Sequence, residues 1–308
     1  MYSQNKYKTL IFYQSINFIN VKTASERSFF LYVLRKKAEF FCYLCRKLQQ
    51  MPKKFVTEFT VVENTALNAT NFLIKVKAPS SLPKIKPGQF ANVEIPKSQA
   101  VFLRRPFSIY QVDHIKNTLS MIVKILGRGS KTLTEIKVGD TLSLVYPLGK
   151  SFTYPDSNDR ILLVGGGSGV APMLFLAKES GLPAASVDLI LGARTAEDHV
   201  KVDEYRKYAT LHYASEDGSL GEPGFVTQHS VFTKDLNVYN KIYACGPDGM
   251  MRAVAKEAKS AGVFCEVSLE NLMACGFGVC LCCIEPTNKG NLCVCTDGPV
   301  FNVNELKW

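Results

Sequence analysis

Six cysteines lie between residues 275 and 295 of this chain: Cys275, Cys280, Cys282, Cys283, Cys293 and Cys295. The spacing Cys275-x4-Cys280-x2-Cys283, followed by a distant cysteine, is the plant-type pattern for a 2Fe-2S cluster. In that chemistry three thiolates converge from one loop and a fourth arrives from another strand. Gly276 and Gly278 let the intervening backbone amides turn toward sulfur. On spacing alone Cys282 competes with Cys283, and Cys293 with Cys295. A zinc site or a set of buried thiols is the plainer alternative, although zinc sites usually pair two short CxxC clips.

Three other segments carry chemistry. Gly165-Gly166-Gly167-Ser168-Gly169 follows the apolar run Ile161–Val164, and Pro172 stands at the start of a helical stretch. A strand, a glycine loop and a helix N-terminus in that order present backbone N–H groups to a pyrophosphate, whereas glycines needed only for packing are the competing account. The strict GxGxxG is not cleanly present, and no acidic residue follows about 20 positions on as a ribose ligand. Leu103-Arg104-Arg105-Pro106-Phe107-Ser108 and Gly127-Arg128-Gly129-Ser130 combine an arginine able to neutralise a diphosphate, an aromatic able to flank a cofactor, and a glycine-hydroxyl turn. Cys245-Gly246-Pro247 closes another short apolar run. His114, His199, His212 and His229 show no ligand or triad spacing and read as surface or loop residues.

The elements that must position these groups divide the 308 residues into parts. From Phe55 to about Phe152, short apolar alternations separated by turn residues indicate a β-barrel or sandwich. From Arg160, continuous apolar runs at Ile161–Val164, Val187–Leu191 and Ile242–Ala244 alternate with helical stretches, which indicates a parallel-sheet α/β domain. The tail from about Cys265 is glycine-rich and too small to fold on apolar burial alone, so a metal centre is the expected staple. Residues 1–50 hold nine Lys or Arg against two acids, seven of the net +10. That segment reads as an atypical basic extension, with a normal start at Met51; its Cys42 and Cys45 lack partners for a metal site. No stretch reaches the roughly 20 apolar residues of a membrane span. No signal peptide is evident, so a reducing cytoplasm is expected and no disulfide framework. The expected division is 1–50, 51–154, 155–262 and 263–308.

Arg105-Pro-Phe-Ser108 resembles the RxYS-type flavin motif of the ferredoxin-NADP reductase superfamily. Gly165 to Pro172 and Cys245-Gly-Pro247 resemble its pyridine-nucleotide motifs, in the same order along the chain. With the plant-type cysteines and the closing phrase Cys295-Thr-Asp-Gly-Pro-Val-Phe301, residues from about 55 onward resemble the electron-transfer subunits of bacterial dihydroorotate dehydrogenase B. That resemblance implies an FAD-binding β-barrel, an NAD-binding α/β domain and a small C-terminal 2Fe-2S domain. It implies Arg105, Pro106, Phe107, Ser108, Ile122, Val123, Lys124, Gly129 and Ser130 around FAD, and Gly165, Gly166, Gly167, Gly169, Cys245, Gly246 and Pro247 around NAD+. It selects Cys275, Cys280, Cys283 and Cys295 as cluster ligands, leaving Cys282 and Cys293 as departures from the pattern. Asp217-Gly218-Ser219 and Gly221 resemble a loop at the nucleotide side. The implied partner is an FMN-containing catalytic subunit in a heterotetramer of two of each chain, with no nucleic acid and no membrane. The flavin subunit of an NADH-dependent ferredoxin:NADP oxidoreductase or of a sulfhydrogenase shares nearly every motif, and a non-enzymatic zinc-binding module is the alternative of another class.

Overall fold

The computed structural model describes residues 53–96, 101–200 and 203–308; the basic extension, Cys42, Cys45 and the Met51 start lie outside them. Lys54–Trp308 forms one compact unit. Its first part is built from strands β1 (Phe55–Ala66), β2 (Asn71–Lys77), β3 (Phe90–Val93), β4 (Arg105–Asp113), β5 (Thr118–Lys124) and β6 (Thr141–Leu148). They close a barrel in the order β1-β2-β5-β4-β3-β6, every pairing antiparallel. Alternation along the strands sends Phe59, Val61, Ile74, Val76, Leu119, Met121, Leu142 and Leu144 inward, where they are fully buried. Closure leaves no free sheet edge. One short helix, α1 (Arg128–Thr134), follows β5.

Strand β7 (Ile161–Gly166) starts the second sheet and runs through a single 3-10 turn into α2 (Val170–Glu179). Strands β8 (Val187–Ala193), β9 (Thr210–Ser215), β10 (Glu222–Pro223) and β11 (Lys241–Cys245) follow, then α3 (Asp248–Ala261) and β12 (Phe264–Ser268). Helix α3 stops at Gly262, whose φ of +70° is the left-handed conformation that ends helices. A hairpin of β13 (Ile284–Thr287) and β14 (Gly290–Cys293) leads to a helical turn and to β15 (Val300–Asn302). The sheet order is β10-β9-β8-β7-β11-β12-β15, parallel except for β15. The sheet therefore continues past residue 262, and its last strand comes from the segment that follows the cysteines. Cys283, Cys293, Val294 and Cys295 pack into the same apolar core as Leu162, Ile242, Val254 and Val267, with Phe90 and Leu148 of the barrel. The tail is thus anchored by a shared core, which composition alone could not reveal.

Of the histidines read as surface or loop residues, His199 and His229 lie in loops but are buried, and His212 sits on β9. His229 is buried because its Nδ1 accepts from the Val231 amide at 3.1 Å and so caps a helical turn. His212 Nε2 lies 2.8 Å from Asp188 Oδ1, while Asp188 Oδ2 accepts from Arg160 and from the Tyr239 hydroxyl, each at 2.9 Å. Burial works against the charged Asp188 carboxylate, but His212, Arg160 and Tyr239 prevail and hold its pKa at about 2. Replacing Asp188 by Ala strands these three partners and is expected to lower the melting temperature by roughly 5 °C at pH 7, with half-exposed Arg160 moderating the loss. Since the folded pKa lies below the usual 3.8, the carboxylate's stabilisation is complete above that value and fades as pH falls toward 2. Thermal melts of the parent and the variant should converge over that window.

Candidate functional site

The cysteine loop is shaped by two glycines in the left-handed region, Gly276 at φ +76° and Gly278 at φ +80°. A Cβ on Gly278 would stand 2.9 Å from Thr296 Cγ2, so the loop lies tight against the segment bearing Cys295. With the backbone turned this way, amides aim at sulfur. The N–H groups of Phe277 and Cys280 donate to Cys275 Sγ at 3.3 and 3.5 Å, that of Gly278 to Cys295 Sγ at 3.1 Å, and that of Cys295 to Cys283 Sγ at 3.4 Å. The thiols stand as two pairs, Cys275 with Cys280 and Cys283 with Cys295. Among the described residues no three His, Cys, Asp or Glu side chains converge on a single ion position. Two pairs suit a binuclear cluster, in which each iron takes two thiolates.

Desolvation opposes ionisation of Cys275, yet the Phe277 and Cys280 amides outweigh it and bring the thiol down to about 6. Desolvation and the neighbouring Cys283 push Cys295 up to about 12, with the Gly278 amide opposing them. Cys282 is exposed, with its Sγ 3.6 Å from the Leu272 carbonyl. Cys293 is buried on β14, and its amide donates to Asp297 Oδ2 at 2.9 Å. Four thiols in two pairs, three of them accepting from backbone amides, meet the requirements of a 2Fe-2S cluster.

In the barrel, Arg105, Pro106, Phe107 and Ser108 are half-buried on β4, and Ile122, Val123 and Lys124 end β5. The two arginines have different surroundings. Arg104 is tied to Glu94 and to Ser143, whereas Arg105 bonds the Leu103 carbonyl at 2.8 Å. A Cβ on Gly129 would meet Arg105 Nε at 3.4 Å, so the guanidinium and the glycine turn are neighbours. The Ser130 hydroxyl accepts from the Leu126 and Gly127 amides at 2.8 and 3.1 Å and donates to the Gly127 carbonyl at 3.1 Å, which shapes the turn. A cationic arginine beside a tight glycine turn, next to a half-buried aromatic, fits a flavin dinucleotide.

The glycine segment after β7 serves two purposes. A Cβ on Gly169 would lie 2.4 Å from the Cys245 carbonyl oxygen, and one on Gly166 would lie 2.7 Å from Met250 Sδ. Gly165 is equally closed, 2.8 Å from the Val170 Cα. Gly166 and Gly169 let β7 and its turn pack on Cys245-Gly246-Pro247, while Gly165 lets the turn fold back on Val170. Gly167 is open: at φ +56°, its nearest neighbour is Lys124 Nζ, 3.7 Å from a Cβ placed there. The C-terminal end of β7 thus faces the end of β5, and the C-terminal ends of the strands are the usual place for a nucleotide in an open α/β sheet.

Glu270, two residues past β12, is a member of this site that motif reading missed. Cys245 Sγ lies 3.9 Å from Glu270 Oε1. Desolvation raises the Glu270 pKa, opposed by Cys245 and by the charge of Lys124. Cys245 is fully buried, and desolvation with the nearby Glu270 raises its thiol pKa, so it stays protonated. The position of Glu270 at the C-terminal end of a parallel strand was the available signal, hidden because Phe264–Ser268 was not recognised as that strand. Asp217 and Ser219 lie on the loop after β9, where Ser219 Oγ accepts from the Ala196 amide at 2.7 Å and donates to Asp217 Oδ1 at 2.6 Å.

Residues 57–154 match the family described as oxidoreductase FAD-binding domain, 163–256 the oxidoreductase NAD-binding domain, and 270–307 the iron-sulfur cluster binding domain of dihydroorotate dehydrogenase B. The dihydroorotate dehydrogenase B (NAD(+)) electron transfer subunit of Fusobacterium nucleatum is 33% identical over 258 residues, covering 82% of this chain and 98% of that protein. The Listeria monocytogenes protein of the same description is 36% identical over 259 residues, again covering 82% and 98%. Among solved structures, that of an NADH-dependent reduced ferredoxin-NADP oxidoreductase superposes with a TM-score of 0.72 at 29% identity, covering 81% of this chain and 90% of that one.

The close backbone approach at Gly169 generates a stability prediction. Gly169→Ala places a methyl group against the Cys245 carbonyl and the Gly246 amide, and should cost about 1–3 kcal/mol of unfolding free energy, read by denaturant titration.

Proposed function

The chain belongs to the family of electron transfer subunits of NAD(+)-dependent dihydroorotate dehydrogenase B, and we propose that it passes electrons from the FMN of a separate catalytic subunit, through a 2Fe-2S cluster and FAD, to NAD+ in the oxidation of dihydroorotate for pyrimidine biosynthesis. When bound, the cluster exchanges single electrons, the flavin one or two, and NAD+ accepts a hydride. The observation that carries the reading is the pairing of four thiols, three of which accept from backbone amides.

Cys275 and Cys280 would hold one iron, and Cys283 and Cys295 the other. The amides of Phe277, Gly278, Cys280 and Cys295 stabilise thiolate charge at these ligands and favour a further negative charge beside them. Around FAD, Arg105 would offset diphosphate charge with the Gly129-Ser130 turn at its side, while Pro106, Phe107, Ser108, Ile122, Val123 and Lys124 line the cleft. Gly167 would leave room for the nucleotide, with Gly165, Gly166 and Gly169 holding the turn closed beneath it. Cys245, Gly246 and Pro247 would border the nicotinamide. The buried, protonated Cys245 thiol beside exposed Glu270 keeps that end polar, and no base is required there.

Leu272, Phe277, Val279 and Leu281 are exposed around the cysteine loop. An apolar rim at the one-electron end supports docking of the catalytic subunit there, in a heterotetramer of two of each chain. Among the described residues no helix is long and apolar enough to cross a membrane. A cytoplasmic location, without nucleic acid or membrane as partner, agrees with this reading.

Cofactor analysis and electron paramagnetic resonance test the assignment. The purified chain should contain FAD and two irons per copy in the plant-type arrangement, and a colourless zinc-containing preparation would overturn it. Single serine replacements of Cys275, Cys280, Cys283 and Cys295 should abolish the reduced-cluster signal, whereas Cys282→Ser and Cys293→Ser should retain it. Arg105→Ala should weaken FAD retention by roughly ten- to a hundredfold, the value of a charge-assisted hydrogen bond, measured by flavin titration of the apoprotein. Capture from native extract should bring down an FMN-bearing subunit; a large multi-cluster subunit instead would reassign the chain to the ferredoxin-NADP oxidoreductase branch.

A further inference from the structure

Asn92 stands where the barrel meets the cysteine loop. Strand β3 pairs with β4 so that Ala91 opposes Phe107, Asn92 opposes Pro106 and Val93 opposes Arg105, which puts Asn92 directly against the flavin motif through the backbone. Its side chain reaches the other way in function. Nδ2 donates to the carbonyl oxygen of Cys275 at 3.4 Å, and a Cβ on Gly276 would lie 3.0 Å from the same nitrogen and 3.3 Å from Leu148 Cδ1. The bond is long, so its importance is geometric more than energetic. The acceptor at Cys275 also decides which end of the amide faces it, because a rotated amide would set two oxygens together.

The remaining amide atom is informative. Asn92 is 1% exposed, and its Oδ1 is buried with no hydrogen-bond partner. A buried acceptor left without a donor destabilises a fold, and a leucine, which has the same heavy-atom branching at Cγ, would occupy the site without stranding one. Packing therefore does not explain an amide at this position. What an amide does, and a leucine cannot, is hold the carbonyl of the first cysteine in the loop at a fixed offset from Arg105-Pro106-Phe107.

We infer that Asn92 is a positioning residue for electron transfer between the two centres: it sets the Cys275-Gly276 loop against the flavin strand and keeps an N–H dipole beside the cluster. The inference rests on the cofactor assignment proposed above. The step it serves moves one electron between cluster and flavin, one centre losing what the other gains, with no atom transferred. An N–H dipole pointing at this end stabilises added negative charge, so losing it makes reduction of the cluster less favourable.

The test uses the full chain carrying its cofactors, with Asn92→Leu compared against the unsubstituted protein. Iron and flavin contents should be equal, and the melting temperature unchanged or higher. The reduced-cluster resonance spectrum should change, the cluster potential should become more negative, and reduction of the cluster by NADH in stopped flow should slow by about tenfold. A merely structural asparagine would give the opposite pattern, a lower melting temperature with the parental spectrum, potential and rate, and that result overturns the inference. Should Asn92→Leu fail to fold, the isosteric Asn92→Asp replaces the donor to Cys275 with an acceptor; a parental potential and spectrum in that variant overturn the inference equally. If the unsubstituted protein itself gives no cluster signal, the proposed function falls and this inference with it, whereas a normal parental signal with unaltered variants removes the inference alone.

Discussion

Backbone contact between residues 149–150 and 298–299 is the constraint on which the rest of the structure depends. The Lys150 amide donates to the Gly298 carbonyl at 2.6 Å, and a Cβ on Gly149 would come within 2.4 Å of Pro299 Cδ. One residue further, the Pro299 carbonyl accepts from Leu269 at 2.9 Å, and Val300–Asn302 then pairs with β12. Five consecutive residues thus join the end of the barrel, the edge of the α/β sheet and the turn that carries Cys295. A side chain at Gly149 would separate surfaces that have to touch.

From this junction follows the arrangement of the site. The cysteine loop sits on β3 and β6 of the barrel, and the flavin motif is on β4, the strand paired with β3. The glycine turn after β7 faces the end of β5. Each centre is therefore one strand or one turn from the next, and the shared core of tail, sheet and barrel residues keeps those separations from varying. The protein's part in the chemistry is mainly this holding of distances, together with the amides directed at sulfur.

Charge is arranged along the same line. Backbone dipoles favour thiolates in the cysteine loop, Arg105 adds cationic charge beside the Gly129 turn, and the charge of Lys124 acts on Glu270 past the end of β12. Away from the cleft, Asp188 gathers Arg160, His212 and Tyr239 into a network that braces the sheet. Buried polar groups are satisfied in that network, while the unpartnered oxygen of Asn92 stands out at the junction between centres.

Local sequence determined whatever depends on neighbours in the chain: the alternating barrel strands, the buried runs at β7, β8 and β11, the helices after β7 and β11, and the Cys275-x4-Cys280-x2-Cys283 loop with its turning glycines. These are set by side-chain period, by φ at glycine and by ligand spacing, all legible within a few residues. Only the tertiary structure decided what depends on contacts across the chain. It separated packing glycines 165, 166 and 169 from open Gly167, because the difference is the proximity of Val170, Met250 and Cys245. It turned Cys282 toward Leu272, made β15 an edge strand of a sheet begun about 140 residues earlier, and brought Glu270 to Cys245 and Asn92 to Cys275. Such pairings have no local signature, since each partner reads alone as an ordinary surface acid or a strand amide, and its role arises from the group that folding places beside it.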